Sequence, residues 1–515
     1  MLPSQPATVI SQYQGMDTVI AVVVVFMLIV LAIGYWATRK TKNAHDFFIA
    51  GKSIGTIALA LAAFSATMSG WLFVGNPGLI SMLGTSSMWF TITTGVCFTM
   101  LFVVLGKRMR LLAEIRDIMT VADAVEARYK SKTARALAAL ATLLGTVLYL
   151  ATQVLAIGVV LGYVFNISVA WGAVIGMVVV IAYSVGGGIL AGIYSDVFQG
   201  LMMAVASIAI FILAIDSGGG MENIAKTISE SAALAKGGLG QKFVGPFGIL
   251  PPIIVLNWFF LLAMGVVGQP HIVHKFFMVK NVKKLKWGPL MTTVPSIIAG
   301  ILGFGVGMAV KSLILTGKLA PLAKPDDAIT VFLLHYTTPL LTGIAFAGIA
   351  SAVMSTADSF INIASAAAVR DIPAIFNKKL TEKQSLFWGR VTVAVVGVLS
   401  VVIALSLSKE GIALLGAFGF GALAAALGPI LAIGFNWKRV TRKAAILSMI
   451  LGMAFSIILE LARKMKAAWY MKSFNKLGIH PAALGLLIGF IVLIVVSFLS
   501  KPDKLDKDIE AVMDA

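Results

Sequence analysis

Apolar runs of about 20 residues, each long enough to cross a hydrocarbon layer, recur along this 515-residue chain from end to end. Lipid offers no replacement hydrogen-bond partners, so a spanning segment must close its own backbone bonds as a helix. With 59% hydrophobic residues, 12% charged residues and a mean hydropathy of +0.97, the chain reads as an all-α polytopic membrane protein. Thirteen spans are predicted, at 17–37, 54–80, 84–106, 135–163, 166–186, 189–216, 247–270, 288–316, 340–369, 387–407, 412–436, 444–462 and 480–500. The first is as long as a full span and is followed by no small-residue cleavage site, so it reads as a retained helix, not a signal peptide. No soluble domain is visible, and residues 1–515 are expected to form one membrane domain with a mobile polar tail after Lys501.

The net charge of +19 could point to nucleic acid, but the placement of the charges argues against it. With the N-terminus outside, 29 of the 41 lysines and arginines fall in predicted inner loops and the tail, Lys275 among them. This bias predicts a multi-pass protein of the cell (plasma) membrane with a cytoplasmic C-terminus, facing anionic lipid. Arg463, Lys464, Lys466, Lys472 and Lys476 resist the scheme, falling outside. The single cysteine, Cys97, excludes an internal disulfide and a cysteine metal cluster, and reads as a small buried residue. Oligomeric state leaves no signal.

Two spans are interrupted. Residues 64–78 read FSATMSGWLFVGNPG, where Ser69-Gly70 and Gly75-Asn76-Pro77-Gly78 invite a helix to unwind at membrane depth. The seventh span carries Gly265 and Gly268-Gln269-Pro270. Such breaks survive only where protein or a polar cavity covers them, and paired breaks mark the ion and substrate sites of secondary transporters. The breaks lie five spans apart, and an odd number inverts the second repeat. Repeat one then covers about 54–216 and repeat two about 247–436, with 17–37, 444–462 and 480–500 as extra helices.

In the ninth span Ser355, Asp358 and Ser359 lie at i, i+3 and i+4 on one helix face, with Thr356 beside them. The hydroxyls of Ser355 and Thr356, with carbonyls from the unwound Ser65–Met68, suit a sodium ion that must also leave; alternatively the hydroxyls bond back to their own helix. Asp196 and Asp358, deep in the sixth and ninth spans, either belong to a cation pathway or stay protonated as hydrogen-bond donors. Solute contacts are expected from Ser69, Gly70 and Trp71, from Tyr149 and Gln153, and from Asn257, Trp258 and Gln269. Other signals fail. Gly51-Lys52-Ser53 lacks the earlier glycine of a phosphate loop, Gly186-Gly187-Gly188 matches no dinucleotide fingerprint, and His271 and His274 read as loop residues without a third ligand. With no nucleophile elbow and no ATP cassette, an enzyme is not expected, and energy must come from gradients.

These residues resemble the sodium/solute symporter family, and most nearly its sodium/proline branch. The resemblance runs over nearly the whole length, on NAHDFFIAGKSIG (43–55), SATMSGWLFVGNPG (65–78), GGGILAGIYSDVFQ (186–199), GQPHIVHKFF (268–277) and ASAVMSTADS (350–359). It implies a leucine-transporter-like core of inverted five-helix repeats. It also implies a sodium site of Ser65, Met68 and Ala352 backbone oxygens with the Ser355 and Thr356 hydroxyls, an aspartate of sodium transit at Asp196, and a pocket at Ser69, Gly70, Tyr149 and the GQPH turn. The chain departs from the proline branch at Thr67, where that branch has an aspartate, and at Leu262 and Val266, where it has a tryptophan and a tyrosine. The expectation is a symporter coupling inward Na⁺ flow to uptake of a small organic solute, L-proline first, by alternating access. Na⁺ is then a co-transported ion and not a prosthetic group. The alternatives are an H⁺- or Na⁺-coupled carrier of a monocarboxylate or other osmolyte, and a transporter-like membrane sensor, for which the short tail offers no signalling domain.

Overall fold

The structure is a computed structural model, and it describes residues 13–52, 54–406, 412–475 and 478–515. Ser53 of the rejected phosphate loop, Lys476 of the outer basic group, residue 407 at the end of one predicted span and residues 1–12 at the predicted outer N-terminus lie outside the described residues.

The principal helices are α1 (Met16–Lys40), α2 (Thr56–Thr67), α3 (Asn76–Leu83), α4 (Met88–Leu101), α5 (Lys107–Ile115), α6 (Lys132–Phe165), α7 (Val169–Ser217) and α8 (Pro252–Gly265). They continue as α9 (Gly288–Leu315), α10 (Pro339–Ala366), α11 (Glu382–Ser406), α12 (Ile412–Ala432), α13 (Arg442–Lys464), α14 (Pro481–Leu499) and α15 (Lys507–Asp514). Among the described residues there is no strand, only one parallel bridge from Ile54 to Val279.

Among the described residues ten helices could cross a membrane by length and composition, or eleven if the pair Pro252–Gly268 and Pro270–Met278, bent by 48°, counts as one. Two of the ten are far longer than a bilayer requires: Trp71–Ile115, 45 residues, and Val169–Ser217, 49 residues. Each contains a glycine at positive φ, Gly84 (63°) and Gly188 (55°). A Cβ would lie 2.1 Å from Phe243 O at the first and 2.5 Å from Phe47 O at the second, so only glycine turns there. With the bent pair counted as one, dividing both helices at these glycines gives thirteen segments, which correspond to the thirteen predicted spans.

The centre of the fold is α10, buried almost continuously from Thr342 to Ala366. Its small residues allow close approach. A Cβ on Gly348, for example, would lie 2.5 Å from that of Ala206 on α7. Around α10 pack α1, α2, α6, α7 and α11, while α13 and α14 form an adjoining pair beside α12.

Three polar expectations are revised. The tail is docked, not loose: Ile509, Val512 and Met513 of α15 are buried, and Arg116 reaches Asp506 and Asp508, both at 2.8 Å. Lys130 pairs with Asp506 at 2.6 Å and Lys438 with Asp514 at 2.8 Å. His271 and His274 are not loop residues; both are buried, and His274 Nε2 lies 2.7 Å from Met119 O. Lys275, counted among inner-loop charges, is 1% exposed, because the bend at Gly268–Pro270 carries the following turn back into the protein. On the far side of α3, Pro325–Asp327 presses on Gly78, whose added Cβ would meet Pro325 O at 2.2 Å. There Asp326 Oδ2 accepts the Ile412 N–H at 3.1 Å, and burial pushes its carboxyl up to about 6.

Candidate functional site

The first break begins where α2 ends. Met68 (φ −78°, ψ 91°) leaves the helical region, its amide donating to Phe64 O at 3.1 Å, and the chain resumes through the wide turn Trp71–Gly75 into α3. A helix end leaves its last carbonyls without backbone donors. Here side chains of α10 supply them. Ser355 Oγ donates to Ser65 O at 2.9 Å, and Thr356 Oγ1 to Ala66 O at 3.0 Å. The same hydroxyls lie 3.2 and 3.0 Å from Ala352 O. The hydroxyls therefore bond back within α10 and also reach across to α2. Ser65 Oγ is buried beside them with no hydrogen bond. Three carbonyls and two hydroxyls, all uncharged, converge between the two helices. The Ala66 carbonyl belongs to the expected stretch Ser65–Met68, although nothing in its side chain singles it out. Met68 contributes to the neighbouring cavity wall instead of meeting either hydroxyl.

The two acids face elsewhere. Asp358 turns to α7, where Oδ1 accepts from the Ser184 hydroxyl and from Asn362 Nδ2 at 2.8 Å. Its Oδ2 makes no hydrogen bond and fills the space beside Gly192, whose Cβ would sit 2.1 Å away. Asp196 is paired with Lys275 at 2.9 Å.

Beside the break lies a cavity of about 80 Å³. Of the predicted solute residues Ser69, Trp71 and Tyr149 line it. Tyr149 OH donates to Ser69 Oγ at 3.1 Å, and Trp71 packs edge-on against Phe90 and Phe420. Gly70 and Gln153 stand behind this wall, the Gly70 N–H donating to Gln153 Oε1 at 2.9 Å. Gln269 is occupied by the Gly265 and Phe420 carbonyls, at 3.3 and 3.0 Å. Asn257 is not brought to the cavity; it bonds Ile253 O of its own helix. Trp258 stacks on the outside of Phe90, with ring centres 4.6 Å apart. His271 of the expected GQPH turn lines it too; missed were Phe98, Phe420 and above all Asn76, buried at 1% exposure with neither side-chain atom hydrogen-bonded. Asn76 stood in the GNPG break, where only its turn chemistry was weighed. Leu262 and Val266 do line the cavity, which is mostly apolar.

A broken helix whose carbonyls face hydroxyls of a second helix, next to a small cavity in a bundle of spanning helices, defines a membrane carrier driven by gradients. Residues 47–452 match the model of the sodium:solute symporter family, and the chain belongs to that family. It is similar to the osmoregulated proline transporter OpuE of Bacillus subtilis, 26% identical over 494 residues that cover 93% of this chain and 94% of that one. The sodium/proline symporter of Escherichia coli is 28% identical over 490 residues, covering 93% and 92%. Among solved structures, a Na⁺-coupled sialic acid symporter in a substrate-bound outward-open state superposes with a TM-score of 0.78 at 18% identity, over 95% of this chain and 99% of that one. MhsT in complex with L-phenylalanine gives 0.55 at 14% identity, over 87% and 98%. At these identities the two structures show the fold: a leucine-transporter-like core.

Proposed function

We propose that the chain couples inward Na⁺ flow to uptake of L-proline or a solute of similar size by alternating access. The observation that carries this reading is the meeting of Ser355 and Thr356 with the Ser65 and Ala66 carbonyls at the break in the first interrupted span. On binding Na⁺ the Ser355 and Thr356 hydroxyls would keep their protons but turn them away from the α2 carbonyls, so that the ion is held by lone pairs of the two hydroxyl oxygens with carbonyls of Ser65, Met68 and Ala352. Uncharged ligands bind Na⁺ weakly enough to release it on the other side. Bound there, the ion ties α2 to α10 and orders the break that forms one wall of the solute cavity. Solute then binds better with the ion present, and the ion better with solute, a coupling of about 1–3 kcal/mol.

The cavity bounds the solute. Its volume of about 80 Å³ is roughly half that of the engineered cavity of about 150 Å³ that admits benzene, so the occupant is compact and the wall yields to admit it. Ser69, Tyr149 and Asn76 offer polar contacts at one side; Trp71, Phe98, Leu262 and Val266 enclose an apolar body. The aliphatic Leu262 and Val266 favour a second reading, a less polar monocarboxylate or osmolyte. The likeness to proline transporters supports proline. The setting proposed is the cell membrane, N-terminus outside, with repeats at about 54–216 and 247–436.

The test is uptake of labelled L-proline into proteoliposomes under an imposed inward Na⁺ gradient, with K⁺ and pH gradients as controls. Sodium-driven accumulation is expected. Sodium-dependent thermal stabilisation without proline uptake would keep the ion and discard the solute. Uptake driven by a pH gradient in sodium-free buffer would select proton coupling.

A further inference from the structure

The most unusual group in the membrane interior is one that the sodium reading does not use. Lys275 is 1% exposed and Asp196 is fully buried. Lys275 Nζ lies 2.9 Å from Asp196 Oδ2 and 3.4 Å from Ser359 Oγ. We infer that Lys275 is a tethered counter-cation filling a second cation position, so that Asp196 takes no coupled ion in this chain. The inference rests on the sodium-symport reading and fixes how many ions that reading allows.

The argument is one of charge and place. A carboxylate deprived of water needs a positive charge close by, and an unpaired one costs several kcal/mol. In a carrier that charge can arrive as a dissolved ion or be built in. Ser359 lies four residues beyond Ser355 on the same face of α10, about 6 Å along the axis. The face therefore presents two levels. At the Ser355 level every oxygen is neutral and no fixed cation is near enough to bond. At the Ser359 level the oxygens are a carboxylate and a hydroxyl, and an ammonium stands between them. Asp196 Oδ1 is buried and makes no hydrogen bond, so the Lys275 ammonium on Oδ2 is the cation that meets this carboxylate. Without the ammonium, two carboxylate oxygens and the Ser359 hydroxyl would surround a place fitted to a monovalent ion. Lys275 belongs to the turn His274–Met278, directly after the second break, so its position is set by the bend of that span. The charge moved per cycle is then set at the Ser355 level alone.

The test counts bound ions on purified full-length protein by equilibrium binding of labelled Na⁺. Wild type is expected to bind one Na⁺ per chain. Lys275→Met is expected to bind two, its sodium dependence steepening from a Hill coefficient of about 1 toward 2. The neutral pair Asp196→Asn with Lys275→Met is expected to return to one ion at wild-type affinity; it removes both charges together and keeps the test available should Lys275→Met alone fail to fold. Lys275→Met binding a single ion, or wild type binding two, overturns the inference, as does loss of Na⁺ binding in the neutral pair. Wild-type protein that binds no Na⁺ at all overturns the symport reading itself and takes this inference with it.

Discussion

Both interrupted spans break close to a glycine, Gly70 and Gly268, yet their freed groups are met from different directions. At the first, the partners come from other helices: Ser355 and Thr356 of α10 for the carbonyls, Gln153 of α6 for the Gly70 amide. At the second, the chain attends to itself. Gln269 folds back on Gly265 O and braces Phe420 O, while Gly268 is pressed so closely against α12 that a Cβ would sit 2.6 Å from Gly428 N. Symmetry of sequence pattern thus coexists with asymmetry of chemistry. The first break offers exchangeable oxygens at a cavity; the second offers a packed elbow that places Lys275.

The comparison is broken most forcefully at the hydroxyls. Ser355→Ala with Thr356→Ala is expected to raise the Na⁺ concentration needed for half-maximal uptake by at least about tenfold, a loss of about 1.4 kcal/mol, with expression intact. A sodium titration of uptake measures it, and an unchanged curve would sink the assignment. Next come the two glutamines. Gln153→Ala leaves the Gly70 N–H buried and unpaired, at a cost of about 1–3 kcal/mol, and is expected to weaken solute binding several-fold. Gln269→Ala is expected to lower thermal stability while leaving solute affinity unchanged; equal effects of the two on affinity would erase the distinction between the breaks.

Asn76→Ala has the opposite sign in the two assays. It removes two buried polar atoms that have no partner, so the empty protein is expected to keep or gain stability. Solute affinity is expected to fall by about 1 kcal/mol, the size of one ordinary hydrogen bond, as read by binding calorimetry. The smallest effect lies at the outer support of the first break. Asp326 ionises near 6 in the fold against about 3.9 in the unfolded chain, so the folded state holds the proton more tightly. Stability is therefore lost as pH rises from about 4 to 6 and is flat above. Acidifying from pH 7 to 5 is expected to raise the melting temperature of wild type relative to Asp326→Asn, by the equivalent of less than about 1 kcal/mol given partial exposure.

Much of this architecture was legible because hydropathy and helix breakers act locally. The spans and both breaks follow from run length and glycine positions, and the shared face of Ser355 and Ser359 from the helical repeat. What stayed hidden depends on bends and on neighbours distant in the chain. Lys275 reads as an inner-loop charge until the 48° bend is known. Asn257 and Trp258 look like cavity residues by their type, yet helix rotation sends one to its own backbone and the other behind Phe90. Phe98 and Phe420 resemble any core aromatic. The tail is polar on average, and only the spacing of Ile509, Val512 and Met513 betrays a docked face.

The first break also sets a timetable for assembly. Gly70 waits for Gln153, 83 residues later, and the Ser65 and Ala66 carbonyls wait for α10, 290 residues later. A backbone group facing lipid without a partner costs several kcal/mol, so this span cannot settle as a finished membrane segment when it leaves the ribosome. It must be sheltered, or held as a continuous helix, until the ninth span arrives to open it. The binding-competent break is in that sense the last feature of the N-terminal half to form, although it is among the first to be synthesised.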